Sequence, residues 1–220
     1  MEADAGDIEF KDGTYLVSGT DKKIALVDVA KASFAPMGPL TQKFGIGLEA
    51  DGSFSPEPPS HPNGSHVCEV EIDPDTGDIR LDRYTVVDDL GRILNPMIVL
   101  GQMQGGTVQG MGQALMEHQV YDRASGQLLT GSFMDYAMPR ASVLPPIDAK
   151  MEEIACKTNP LGVKGIGESG TIGAPPTVIN AVIDALRPLG IDSIDMPATP
   201  LRVWQAIEAA KKSGGAQARA

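Results

Sequence analysis

A chain of 220 residues, 42% of them hydrophobic, is long enough for one large domain or two small ones with a real core. Eighteen Lys and Arg against twenty-nine Asp and Glu leave a formal charge of −11, a field that repels nucleic acid and anionic lipid, so neither is expected as a partner. Cys68 and Cys156 are isolated, and His61, His66 and His118 are scattered, so no zinc or iron–sulfur ligand spacing is present and no protein-ligated metal is expected.

The opening Met1-Glu2-Ala3-Asp4-Ala5-Gly6-Asp7 is acidic and polar, without the apolar run and cleavage site of an export signal, which points to the cytoplasm. Residues 8–11 and 14–18 flank Asp12-Gly13, a pair that favours a tight hairpin. A short helix is predicted over 28–34, ended by Pro36. Residues 35–64 are rich in Pro, Gly and Ser and read as a long connection in which only 45–54 resembles a strand. Asn63-Gly64-Ser65 matches a glycosylation acceptor but reads here as a turn.

Cys68, Val70 and Ile72 alternate along 66–73, and 79–88 continues the pattern after Asp73-Pro74-Asp75-Thr76-Gly77, so a second hairpin is predicted. Asn95-Pro96 is a helix start, Asn as cap and Pro at the first position, with apolar periodicity running to about residue 118. Gln102, Gln104, Gln109 and Gln113 would be costly in hydrocarbon, which argues against a membrane span. Two GxxxG spacings, 101 to 105 and 106 to 110, flatten one side of this helix for another backbone or a planar ligand. Gln102 and Gln109 fall on nearly one face, and their amides suit a heterocycle's mixed hydrogen-bonding edge, although buried glutamines also commonly bond neighbouring backbone.

Further on, 120–122 and 128–132 flank the turn Arg123-Ala124-Ser125-Gly126, and 151–156 reads as a strand. A closing helix is predicted over 200–210 with Trp204 on its apolar side, followed by a flexible tail at 211–220. Without a repeat or a low-complexity linker, the reading is one domain over 7–210. Its fold class is α+β, with mixed β-hairpins and short sheets packed with helices.

Lys164-Gly165-Ile166-Gly167-Glu168-Ser169-Gly170-Thr171-Ile172-Gly173 sets one carboxylate among four glycines. Glycines let a backbone turn tightly and approach a ligand closely, so Glu168 is predicted on a strained, ligand-facing loop ahead of a helix over about 175–186. An ordinary turn before a surface helix is the plain alternative. The same residues fit a dinucleotide-binding fingerprint, but that motif needs a buried strand before it, and Lys157-Thr158-Asn159-Pro160 is turn chemistry.

With these residues together, the chain resembles the C-terminal part of the molybdopterin-binding large subunit of the xanthine dehydrogenase, aldehyde oxidase and carbon monoxide dehydrogenase family. The likeness runs through His66-Val67, Glu69-Val70-Glu71-Ile72-Asp73, Thr76-Gly77, Asp89, Gly91-Arg92 and Asn95-Pro96. It continues in Gly101-Gln102, Gly105-Gly106, Gln109-Gly110, Gly112, Tyr121-Asp122, Asp135-Tyr136 and Asn159-Pro160. It closes with Lys164-Gly165-Ile166-Gly167-Glu168, Gly170-Thr171, Pro197 and Thr199-Pro200, so that nearly all of 7–210 is covered.

The resemblance implies that this is the second molybdopterin-binding lobe of a molybdenum hydroxylase. Glu168 would be the catalytic base beside the molybdenum, Ile166 and Gly167 would contact the pterin through their backbone, and Gln102 would hydrogen-bond it. Asn95 and Asp135 read as structural, a helix cap and a buried partner. The implied cofactor is molybdenum-molybdopterin, in its cytosine dinucleotide form, with iron–sulfur clusters and FAD on partner chains. The implied partners are a chain carrying the missing N-terminal molybdenum lobe, iron–sulfur and flavin subunits, and a small-molecule substrate: an aldehyde, an N-heterocycle or a related compound. A noncatalytic scaffold or assembly subunit, or a relic, with the same fold is the alternative, but a scaffold has no physical need of a carboxylate at 168; a free-standing small-ligand binding module is a third reading, against which stands the lack of a second lobe to close the loop.

Overall fold

The computed structural model describes residues 1–56 and 58–217. Asp12 and Gly13, both at positive φ (48° and 75°), close the hairpin of β1 (Ile8–Lys11) and β2 (Thr14–Val17) as expected. β3 (Lys23–Ala25), which the sequence did not reveal, adds antiparallel to β2. Next come α1 (Leu26–Ser33), two residues earlier than predicted, and α2 (Pro39–Phe44), which starts on a proline inside the supposed connection. The strand expected at 45–54 is absent: Gly45 and Gly47 sit at φ 87° and 100°, outside the strand region.

The chain divides into two compact units, Met1–Ser55 and Pro56–Ala220. The break lies within the Pro-, Gly- and Ser-rich segment, because the first unit completes a three-stranded sheet of its own, ordered β1-β2-β3.

In the second unit β4 (Asn63–Ile72) and β5 (Ile79–Asp89) pair antiparallel as their alternation predicts, with a register slip between Glu69 and Val70. β6 (Ile147–Glu152) joins β5 in parallel and lies four residues before the predicted 151–156. Ile147, Ala149 and Met151 alternate toward the core, whereas the chain beyond Glu152 leaves the sheet, the Ile154 amide donating to Asp89 Oδ1 at 3.0 Å. Residues 120–132 form no strands; only an isolated bridge joins Tyr121 and Leu128. Asp135, read as a buried partner, is instead exposed and accepts a hydrogen bond from Ser132 Oγ at 3.1 Å.

α3 (Pro96–Leu115) starts as predicted, with Asn95 Oδ1 accepting from the Ile98 amide at 3.3 Å. α4 (Ser169–Leu186) begins six residues before the predicted 175, so Pro175 and Pro176 stand inside it. An interior proline removes a helical hydrogen bond and crowds the preceding turn. Here α3 accommodates the ring, since a Cβ at Gly110 would lie 2.8 Å from Pro175 Cδ. α5 (Pro200–Gln217) runs seven residues past the predicted end, so most of the expected flexible tail is helical; 218–220 lie outside the described residues. Val203 and Ile207 face its buried side, and Trp204, at 39% exposure, covers Gly77 rather than entering the core.

α4 lies against both β4 and α3. Tyr84 and Val86 of β5, Met103 and Met111 of α3, and Val178 and Val182 of α4 are fully buried in the resulting core. Among the described residues no helix is long and apolar enough to cross a membrane.

Candidate functional site

Glu168 is the N-cap residue of α4, at φ −116° and ψ −6°, with its side chain exposed and making no cap hydrogen bond. Its carbonyl accepts from the Ile172 amide at 2.9 Å. The predicted backbone strain is not there: none of Gly165, Gly167, Gly170 and Gly173 is at positive φ. Two of these glycines matter for their size instead. A Cβ at Gly170 would meet Thr107 N at 2.5 Å, and one at Gly173 would meet the His66 ring at 2.6 Å, so each permits a close approach that a side chain would block. Gly165 and Gly167 have open space around them.

The turn is held at both ends by adjacent residues of β5. Side chains of neighbouring strand residues point to opposite faces, and here Asp88 takes one end of the turn and Asp89 the other. Lys164 pairs with Asp89, both side chains largely buried, and Asp89 Oδ1 also accepts from the Gly91 and Ile154 amides at 3.0 Å. Burial opposes ionisation of Asp89, but the Lys164 ammonium and the two amides outweigh it and hold the carboxyl below its ordinary range. At the other end Ser169 Oγ donates to Asp88 Oδ2 at 2.9 Å. Between these anchors Ile166 packs against the core, while Gly165, Gly167 and Glu168 are exposed.

Glu168 and Gly167 line a cleft of about 410 Å3 together with Asn63, Gly64, His66 and Asp88. On its floor the carboxylate of Asp88, 1% exposed, lies 3.3 Å from His66 Nε2, and His66 Nδ1 lies 2.7 Å from the Tyr84 hydroxyl. Sequence reading missed this chain. Its signal was an acidic residue at a buried phase of β5, where Tyr84, Val86 and Asp88 alternate inward.

The remaining predicted residues lie elsewhere. Ile166 also lines a separate apolar hollow of about 330 Å3 with Leu90, Ile93, Ile98 and Val99. Gln102 is exposed on α3 and lines neither of these cavities. On its face a Cβ at Gly101 or Gly105 would meet nothing within 4 Å, whereas Gly106 and Gly110 pack on α4. The flat face and the glutamate turn are connected, since the Thr171 hydroxyl lies 3.2 Å from Gln109 Oε1 and 3.1 Å from the Gly106 carbonyl. An open two-glycine surface beside exposed Gln102 and Gln109 amides fits a planar heterocycle with a mixed donor and acceptor edge. Both cysteines are unbridged and half-buried, and burial first, then the neighbouring Glu69, pushes the Cys68 thiol up to about 11.

The family model for the molybdopterin cofactor-binding domain matches residues 1–145. The chain belongs to that family. It is 40% identical over 209 residues to the nicotine 6-hydroxylase large subunit of Paenarthrobacter nicotinovorans, covering 94% of this chain and 26% of that protein. Among solved structures it is similar to the Cu,Mo-CO dehydrogenase in its carbon monoxide reduced state, with TM-score 0.83 and 33% identity over 94% of this chain and 26% of that one. It is also similar to quinoline 2-oxidoreductase from Pseudomonas putida 86, with TM-score 0.81 and 36% identity over the same shares, 94% and 26%. The chain thus spans about a quarter of the length of the relatives it matches. The matched residues of the family model take in Gln102 and stop before the glutamate turn.

Proposed function

We propose that this chain is the second pterin-binding lobe of a molybdenum hydroxylase large subunit, and that Glu168 is the active-site base of the assembled enzyme. The observation that carries the reading is the glutamate turn, a carboxylate held at the rim of a cleft by two separately anchored ends and left without a structural bond of its own. A carboxylate with only a structural role would be expected to cap the helix or pair with a cation.

In this reading molybdenum-molybdopterin, as the cytosine dinucleotide, supplies two-electron oxidation of an aldehyde, an N-heterocycle or a related small substrate. Gln102 would hydrogen-bond the pterin edge from the open face of α3, and the backbone of Ile166 and Gly167 would bound it at the turn. Glu168 would take up a proton at its carboxylate oxygens, so that an oxygen nucleophile forms beside it. A partner chain carrying the other molybdenum lobe would cover Glu168, exposed in this chain, and exclude water from the base. Iron–sulfur and FAD subunits would carry the electrons away, in a cytoplasmic assembly.

The test is Glu168→Gln in the assembled enzyme, which keeps shape and removes the base. Molybdenum content should stay at the wild-type level while turnover falls by roughly 10²- to 10⁴-fold; wild-type turnover would refute the assignment. Gln102→Ala should instead lower cofactor retention, and unchanged molybdenum loading would refute that contact.

A further inference from the structure

We infer that Ser169, Asp88 and His66 form a positioning chain that holds Glu168 in place for proton transfer; this rests on the base reading above. Glu168 makes no cap bond with its own side chain, so its location is set by the backbone on either side of it. Ser169, the next residue, is tied through its hydroxyl to Asp88 Oδ2 at 2.9 Å. A hydroxyl bond to a buried carboxylate is charge-assisted and stiffer than a neutral one. Ser169 is the first residue of α4, a position where a serine hydroxyl ordinarily faces solvent or its own helix end.

The surroundings are built around this carboxylate. Asp88 is 1% exposed and bonds two side chains, Ser169 and His66. With Asp88 as acceptor, His66 carries its proton on Nε2 and donates to Oδ1 across 3.3 Å, and the Tyr84 hydroxyl donates to Nδ1 across 2.7 Å. The donors therefore run in one direction, Tyr84 to His66 to Asp88, and Ser169 closes on the second oxygen. Two glycines from different elements make the room. A Cβ at Gly64 would lie 1.8 Å from Asp88 Oδ1, and one at Gly173 would lie 2.6 Å from the His66 ring. Register puts Val86 opposite His66, so Tyr84 and Asp88, two residues to either side, share its face of the sheet. The whole chain therefore rests on the β4–β5 hairpin, and only Ser169 extends it to the turn.

The experiment compares Ser169→Ala, Ser169→Thr, Glu168→Gln and the Ser169→Ala/Glu168→Gln pair in the assembled enzyme. It reads molybdenum content, kcat and KM separately, and hydrogen exchange of the Ile172 amide, which bonds the Glu168 carbonyl at 2.9 Å. Ser169→Ala should keep its molybdenum, lose roughly tenfold to a hundredfold in kcat with KM changed less than about twofold, and exchange Ile172 faster. Ser169→Thr, which retains the hydroxyl, should restore both kcat and the wild-type exchange of Ile172. Ser169→Ala should add nothing to the loss already caused by Glu168→Gln. Gly64→Ala, which displaces the Asp88 carboxylate without touching the turn, should reproduce the kcat loss and serves if Ser169→Ala does not assemble. Wild-type kcat and Ile172 exchange in Ser169→Ala, or the same fold-loss in both backgrounds, would overturn the positioning role, as would a loss explained by missing molybdenum. A slow Glu168→Gln beside a normal Ser169→Ala removes this inference alone, whereas a fully active Glu168→Gln removes the base reading itself.

Discussion

Replacing Gly170 by alanine puts one methyl group where α4 crosses α3. The added Cβ would lie 2.5 Å from Thr107 N, 2.8 Å from Gly106 C and 2.9 Å from Met103 O, all backbone atoms of α3. No rotamer change relieves such contacts. Restoring an ordinary 3.4 Å separation from 2.5 Å requires the helices to part by about 0.9 Å, which loosens the packing of fully buried Val178 and Val182. Overpacking of this kind costs about 1–3 kcal/mol, and the better helix propensity of alanine returns at most about 1 kcal/mol. The net expectation is a loss of about 1–2 kcal/mol, with Tm lowered by about 2–4 °C for each kcal/mol in a chain of this size. Urea unfolding followed by fluorescence of the single tryptophan, Trp204 in α5, reports on the unit that contains both helices. Gly101→Ala is the internal control: nothing lies within 4 Å of its Cβ, so the same substitution should stabilise by about 0.5–1 kcal/mol. Stabilisation by Gly170→Ala, or shifts of the same sign at both positions, would refute the claim that one glycine is required for packing and the other leaves a surface open.

Two further outcomes follow from buried polar groups. Thr107 Oγ1 is buried without a hydrogen-bond partner, so Thr107→Val, nearly equal in shape, should raise stability by about 1 kcal/mol; a loss in the same urea titration would mean the hydroxyl is satisfied after all. Asp89 has a carboxyl pKa lowered in the fold from an ordinary 3.8. Its contribution to stability is therefore fully present above about pH 3.8 and is lost as pH falls from there through the folded value. Asp89→Asn should accordingly lower Tm at neutral pH, with a deficit that shrinks below about pH 3.8; a deficit independent of pH would remove the Lys164 pairing as its cause.

The glutamate turn shows how far residue chemistry alone reaches. Its glycines were legible as a place where something comes close, yet what approaches Gly170 is the backbone of α3 and what approaches Gly173 is the His66 ring. Helix propensity and proline placement put the start of α4 at 175, because two prolines look like a first turn; the helix instead begins at Ser169, where the side-chain bond to Asp88 holds the preceding residues. Ser169 and His66 were in view as letters, but a serine becomes a tether only when a strand 81 residues earlier in the chain presents its carboxylate.

What the residues determined by themselves was local. The Asp12-Gly13 hairpin, the alternation of β4 and β5, the Asn95 cap and the periodicity of α3 each depend on neighbours a few positions away, where backbone preference and side-chain spacing act directly. Tertiary structure alone decided which stretch became β6, how the two units divide, and which carboxylate beside the turn is buried and which is exposed. Those outcomes depend on the partner that covers each surface, and alternation such as that of Ile147, Ala149 and Met151 marks a covered face without saying what covers it.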